Sequence, residues 1–318
     1  MLWPPAPPRP ALSGAPVDPS TSRTTWRALE PVHAMVYFAP EPQEEYVALG
    51  LDVPGNRALG YFPARAAALG RVGPGVVQAT FFNFSRFAVE FGITGVWDQV
   101  SPEQLVQARR RGADRALRRF CGDLLDAPAV PEAVELARTA AAGCTPYGRP
   151  LYAAHADLPE PEVPHLQLWH AITLLREFRG DGHIAALVGE GVSGLEAAVL
   201  HVAAGQQWTR KGLQSTRAYS DEEWDGAVAG LVERGWLTPD ATFTEQGRAH
   251  RQRVEDLTDV LALPAWEALG EDGCARLREL VQPLSDAVLA GGGLAFRCGP
   301  GPSRRPGPPL AGGRLAFR

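Results

Sequence analysis

Apolar residues recur at intervals of three and four along most of this chain, the spacing of a helix face rather than of a strand. The stretch Glu30-Pro31-Val32-His33-Ala34-Met35-Val36-Tyr37-Phe38 predicts a helix opening at its proline, with His33 and Tyr37 one turn apart. Residues 61–69 keep helical spacing, and Tyr61 and Arg65 share a face there. After Gly73-Pro74-Gly75, residues 76–91 carry Phe81, Phe82, Phe84, Phe87 and Phe91, which predicts one buried helix with the polar Asn83 inside it. Ser101-Pro102-Glu103-Gln104 has a capping serine, a proline at the first position and an acid in the first turn, so a helix starts there and runs to about Phe120. A shorter helix lies near residues 131–141.

The second half is more regular. Residues 165–178, 184–188 and 195–204 read as helices, with a bend at Arg179-Gly180-Asp181-Gly182-His183. Ser220 and Glu223 form a capping box. The helix they open puts Trp224, Ala227, Val228 and Leu231 on one face and stops at Arg234-Gly235. Residues 237–244 predict a small hairpin around Pro239-Asp240, and Thr244 starts a helix to about Val260. The expected fold is mainly α: two helical halves, the second with a winged-helix element and a short β-hairpin wing. Proline and glycine density divides the chain into a disordered Pro-rich arm (1–25), an N-terminal helical domain (26–145), a Pro-rich linker (146–164), a winged-helix domain (165–290) and a disordered Gly/Pro-rich tail (291–318).

Composition narrows the chemistry. The 318 residues are 45% hydrophobic and 21% charged, enough for a real core. A net charge of −5 argues against a strongly basic nucleic-acid binder. Among 31 basic residues only Lys211 is a lysine, and its neighbours do not form a phosphate loop, so a Schiff base would have to use that one side chain. The prolines ahead of residue 25 leave no signal-peptide core, and the longest apolar stretch, 195–204, is interrupted by Glu196 and His201. These features predict a cytoplasmic protein without a membrane partner. Cys121, Cys144, Cys274 and Cys298 form no C-x-x-C pair, so neither a disulfide framework nor a cysteine zinc site is expected. His33, His165, His170 and His183 lack the spacing of a metal motif, and no cofactor is expected.

The order helix, Gly-Trp-Leu stop, hairpin, then Phe243-Thr244-Glu245-Gln246-Gly247-Arg248 is similar to a winged helix of the MarR type, with Phe243 in the usual leucine position. Adding Tyr37-Phe38-Ala39-Pro40-Glu41, Tyr61-Phe62-Pro63-Ala64-Arg65, the run from Leu175 to His183, and Thr258-Asp259, residues 28–285 resemble the SalK-like helix-turn-helix family. That resemblance implies a mostly helical fold with winged-helix elements and a link to specialised metabolism.

DNA stays open as a partner but is not favoured. The recognition helix would be 221–234, whose outer stripe of Glu222, Asp225, Ala229 and Glu233 has no base. One basic element remains: Arg111, Arg115, Arg118 and Arg119 share a face, either solvated or facing a nucleic acid or another anionic partner. For a small molecule bound between the halves, the candidate ligand-binding residues are His33, Tyr37, Tyr61, Arg65, Asn83, Arg176 and Arg179. The leading expectation is a small-molecule-binding, regulator-like winged-helix protein, with a homodimer left open. The alternative is an enzyme of specialised metabolism in which His183 and Asp181 are the catalytic acid–base pair. An ordinary ion-pair network around Arg176, Arg179 and Asp181 explains the same residues.

Overall fold

The computed structural model describes residues 17–205 and 208–294. The helices run in order α1 (Pro19–Ala34), α2 (Pro40–Ala48), α3 (Phe62–Ala66), α4 (Pro74–Phe81), α5 (Arg86–Ile93), α6 (Val96–Gln99), α7 (Pro102–Cys121) and α8 (Ala129–Ala142). They continue with α9 (Pro150–Ala156), α10 (Pro164–Gly189), α11 (Gly194–Ala203), α12 (Arg210–Arg217), α13 (Asp221–Glu233) and α14 (Glu245–Ala290), the last kinked at Gly270. Proline opens α1, α2, α4, α7, α9 and α10, where its fixed φ suits the first turn and its missing N–H is no loss. Capping boxes at Ser101/Gln104, Ser193/Glu196 and Ser220/Glu223 start α7, α11 and α13. Among the described residues no single helix is long and apolar enough to cross a membrane.

The central element is α10. Leu168, Ile172, Leu175 and Phe178 are buried along it, and α1, α7, α8, α9 and α14 all pack against it. The largest core cluster combines Leu29 of α1, Met35 just after it, Leu117 of α7, Val134 of α8, these α10 residues, and Trp266 and Leu277 of α14. Helices from both sides of residues 146–164 therefore share one core. A separate cluster joins Ala186 and Leu187 at the end of α10 to Val199, Leu213, Trp224, Leu231, Leu237 and Val254. The second cluster forms a lobe of α11–α13 around the start of α14.

The structure departs from the sequence expectations in several places. Among the described residues there is no β-strand, so the expected β-hairpin wing is absent. Residues 237–244 make one isolated bridge, Leu237 to Phe243, with the Thr238 N–H donating to the Thr242 carbonyl at 2.8 Å. Leu237 is drawn into the lobe core, and Thr244 already caps α14 by accepting from the Gly247 N–H at 2.9 Å. Too little chain lies between these anchors for two strands of ordinary length.

The bend expected at 179–183 is absent, because α10 runs through it. Gly182 serves close packing there: a Cβ would overlap the Arg149 guanidinium, which donates to the carbonyls of Phe178 and Leu261. The single aromatic helix over 76–91 is two helices, α4 and α5, parted at Phe82, whose φ is +43°. Phe87 and Phe91 are exposed on α5, at 58% and 56%. The helix expected to open at Pro31 begins at Pro19, with Asp18 accepting from the Ser20 N–H at 2.8 Å and Pro31 inside it. Residues 19–25, assigned to the extended arm, are helical because no proline falls between Pro19 and Pro31. The rest of the arm before Val17, and the tail from residue 295, lie outside the described residues. Within the Pro-rich segment 146–164, α9 buries Leu151 and Tyr152, so this stretch is a packed part of the body.

The contact between the break after α4 and the start of α11 leaves no room at Gly194, where a Cβ would overlap the Phe82 carbonyl oxygen. Because backbone must move to relieve the overlap, Gly194→Ala is expected to destabilise the fold by about 1–3 kcal/mol. Urea unfolding followed by circular dichroism checks this; an unchanged midpoint contradicts the packing described.

Candidate functional site

A cavity of about 290 Å³ lies where the body meets the α11–α13 lobe. Its wall comes from α3, the break between α4 and α5, α10, α11, Trp208, α12 and the start of α14. One side is aromatic: the Tyr61 ring centroid lies 5.9 Å from Phe81 and 5.3 Å from Phe84. The floor is ionic. Arg65 grips Glu177 through two bonds, Nε to Oε1 at 3.1 Å and a terminal nitrogen to Oε2 at 2.7 Å. Arg176 donates to the same Oε2 at 2.8 Å, and Arg65 also reaches the Tyr61 hydroxyl at 3.2 Å. Glu177 is fully buried. Burial alone would raise its pKa, but the charges of Arg176 and Arg65 hold the carboxyl well below the usual range.

Six of the sequence-predicted residues line this cavity: Tyr61, Arg65, Asn83, Arg176, Asp181 and His183. The others lie elsewhere. His33 and Tyr37 belong to a closed relay behind the wall. The Thr173 hydroxyl donates to the Trp169 carbonyl at 2.8 Å, so it accepts from the His33 Nδ1–H at 3.0 Å. His33 Nε2 then accepts from the Tyr37 hydroxyl at 3.0 Å, which in turn accepts from Arg109 at 3.1 Å. Thr173, His33 and Tyr37 are bonded within the core, and burial keeps His33 neutral. Arg179 is held by Asp259 at 2.8 Å and Ser22 at 3.2 Å and does not line the cavity.

Asp181 and His183 are not partnered with each other. On the continuous α10 they are two residues apart, a spacing at which side chains diverge. Asp181 accepts the Tyr152 N–H at 3.0 Å, satisfying an orphan donor in the first turn of α9. Burial pushes its pKa up to about 6. The Thr258 hydroxyl donates to the Val254 carbonyl at 2.6 Å and so accepts from the His183 Nδ1–H at 2.9 Å. Burial lowers His183 to about 4, leaving a neutral ring.

The arginine face of α7 is spoken for by α2. Arg111 pairs with Glu45 at 2.7 Å, Arg115 with Glu44 at 2.6 Å, Arg119 with Glu41, and Arg118 with Asp114 of its own helix at 2.9 Å. These partners support the solvated reading of the face rather than an anionic one.

Between α12 and α13 lies a three-residue turn with Ala218 at φ +54°, which gives a helix–turn–helix arrangement with α13 second. A helix-turn-helix family model matches residues 22–295. The chain belongs to that family. No curated protein and no solved structure matches it. In this helix-turn-helix protein the exposed face of α13 carries Asp221, Glu222, Glu223, Asp225 and Glu233. Arg210, beside them, is already bound to Asp221 at 3.1 Å and Asp225 at 2.6 Å, and Arg234, at the end of α13, is bound to Glu196.

Sequence reasoning missed Glu177, Arg217, His201, Arg251 and Trp208 as parts of this region. A carboxylate inside the apolar run of α10 was the available signal for Glu177. Arg217, on α12, lies over the Phe84 ring at 4.3 Å and donates to the Thr216 hydroxyl at 3.1 Å. Burial lowers its pKa.

The buried histidines set a pH dependence. Burial brings His155, His170, His183 and His201 down to about 4 from 6.5. Below pH 6.5 the unfolded chain takes up protons that the folded chain refuses, so stability falls from there towards pH 4. Asp181 works in the opposite direction, because its raised folded pKa favours the folded state as pH drops below 6. Glu30, also raised by burial, acts with Asp181, while His33 and His250, lowered by burial, act with the other four histidines, so six groups outweigh two. The melting temperature should therefore fall between pH 6.5 and 4.5, and NMR should show His183 protonated on Nδ1 only at pH 7. A melting temperature that holds or rises over that interval contradicts the assignment.

Proposed function

We propose that this protein is a regulator-like member of its family that binds a small molecule from specialised metabolism in the cavity between body and lobe. The observation that carries the reading is the shared wall. α11 and α12 of the lobe contribute Ala197, Leu200, His201, Leu213 and Arg217, while the body contributes Tyr61, Phe81, Phe84 and Arg176. An occupant of that space touches both at once, so its binding energy falls on the junction between the helix–turn–helix and the rest of the chain. The volume is at the small end of ligand pockets, roughly twice that of a ~150 Å³ cavity that accepts one benzene ring.

Direct DNA reading by α13 is disfavoured on electrostatic grounds. Its exposed acids repel phosphates, and no free guanidinium on that face is placed to pair with a base edge. The regulator would act through a partner other than DNA at this face. An enzyme reading is supported less, because Asp181 caps α9 and a histidine titrating near 4 is a weak base at neutral pH.

The test is a thermal-shift panel of one- and two-ring aromatic acids, amides and alcohols on the full chain, with Ala197→Trp as an occluded control. Binding to the folded state raises the melting temperature. The expected result is a rise of at least about 2 °C for one chemical class in the natural chain and none in the control. No rise for any compound, or an equal rise in both proteins, overturns the reading.

A further inference from the structure

The cavity's cations are not equivalent. Arg65 and Arg176 both bind Glu177, and Arg251 binds Glu255 at 2.8 Å. Arg217 has no carboxylate partner among the described residues, and its Nε is buried with no hydrogen-bond acceptor. Its guanidinium lies over Phe84 at 4.3 Å and within 5.8 Å of the Trp208 ring centroid. A planar cation between two aromatic faces, with one edge unsatisfied, offers a bidentate seat to a carboxylate and stacking surface to the ring that bears it.

The backbone links this seat to the helix–turn–helix. The Ser85 N–H donates to the Arg217 carbonyl at 3.0 Å, tying the end of α12 to the break between α4 and α5. That break contains Phe82, held at φ +43°, outside the conformations ordinary residues prefer. Strain of this kind persists only where the surroundings hold it, and it clusters at ligand clamps. The residues immediately around it, Phe81, Phe82, Asn83 and Phe84, all face the cavity.

We propose that the ligand class is a one- or two-ring aromatic carboxylate, its ring against Tyr61, Phe84 and Trp208 and its carboxylate paired with Arg217. This rests on the cavity reading above and adds the chemical class and the residue that selects it. Neutral aromatics of the same shape fill the same space but leave the Arg217 edge unsatisfied. The ligand's charge, rather than its area, therefore decides affinity. Ligand contact at Arg217 also places its effect at the last turn of α12, one three-residue turn before α13.

The experiment is isothermal titration of the full chain with 2-naphthoate and with 2-naphthamide, its neutral isostere. It is repeated on Arg217→Gln, Arg217→Lys and the occluded Ala197→Trp. The natural chain should bind the carboxylate at least about tenfold more tightly than the amide. Arg217→Gln should lose that preference while its amide affinity stays within about threefold, and Arg217→Lys should keep only part of it, because an ammonium lacks the planar fork. Should Arg217→Gln fail to fold, the carboxylate-to-amide ratio in the natural chain and the lysine variant still decide. Equal binding of the two compounds, abolished by Ala197→Trp, overturns the carboxylate class while the cavity reading stands. Binding of neither compound overturns the class and removes support from the cavity reading as well.

Discussion

A single buried carboxylate organises this molecule. Glu177 sits in the middle of the central helix with no exposure to solvent, and it is bonded on two sides by Arg65 and Arg176. A charge in that position is tolerable only with well-placed partners, and removing one partner of such a group typically costs roughly 3–5 kcal/mol. Arg65 comes from α3, so this pairing fixes the short N-terminal helices against α10. Tyr61, bonded to Arg65 and packed on Phe84, follows it into place. The aromatic wall of the cavity is thus positioned by electrostatics beneath it.

The same logic separates cations held by carboxylates from those that are not. The α7 arginines answer the α2 carboxylates, Arg179 and Arg23 answer Asp259, and Arg210 answers the acids of α13. Other described arginines bond to neutral groups instead, Arg149 to two carbonyls and Arg109 to the Tyr37 hydroxyl. Among the arginines that line the cavity, Arg217 alone has no carboxylate partner among the described residues, and it lies where the lobe meets the body. Function is argued from that exception rather than from the abundance of arginine.

Much of the helical architecture was legible in the sequence, because proline starts and serine caps act locally. Ser101, Ser220 and Thr244 cap the helices expected of them. Six cavity residues were also legible as polar interruptions of apolar runs. The failures came where tertiary packing overrides local signals. Gly180 and Gly182 read as a bend, yet Gly182 is small to admit Arg149. Spacing along residues 76–91 suited one helix, but Phe82 breaks it against Gly194, which no local pattern reveals. The hairpin failed because Leu237 and Thr244 each had a stronger commitment, one to the lobe core and one to the cap of α14. Arg217 was invisible because its significance is the absence of a partner, which only the folded structure shows.

The central claim is that occupancy of the cavity is felt at the end of α12. Hydrogen–deuterium exchange of the full chain with saturating 2-naphthoate tests this most directly, because it reports local opening helix by helix. The account predicts slowed exchange in α12 and in residues 81–85, with α8, none of whose residues lines the cavity, unchanged. Ligand-bound protein whose α12 amides exchange as fast as in the free chain, or whose protection is uniform across every helix, contradicts it.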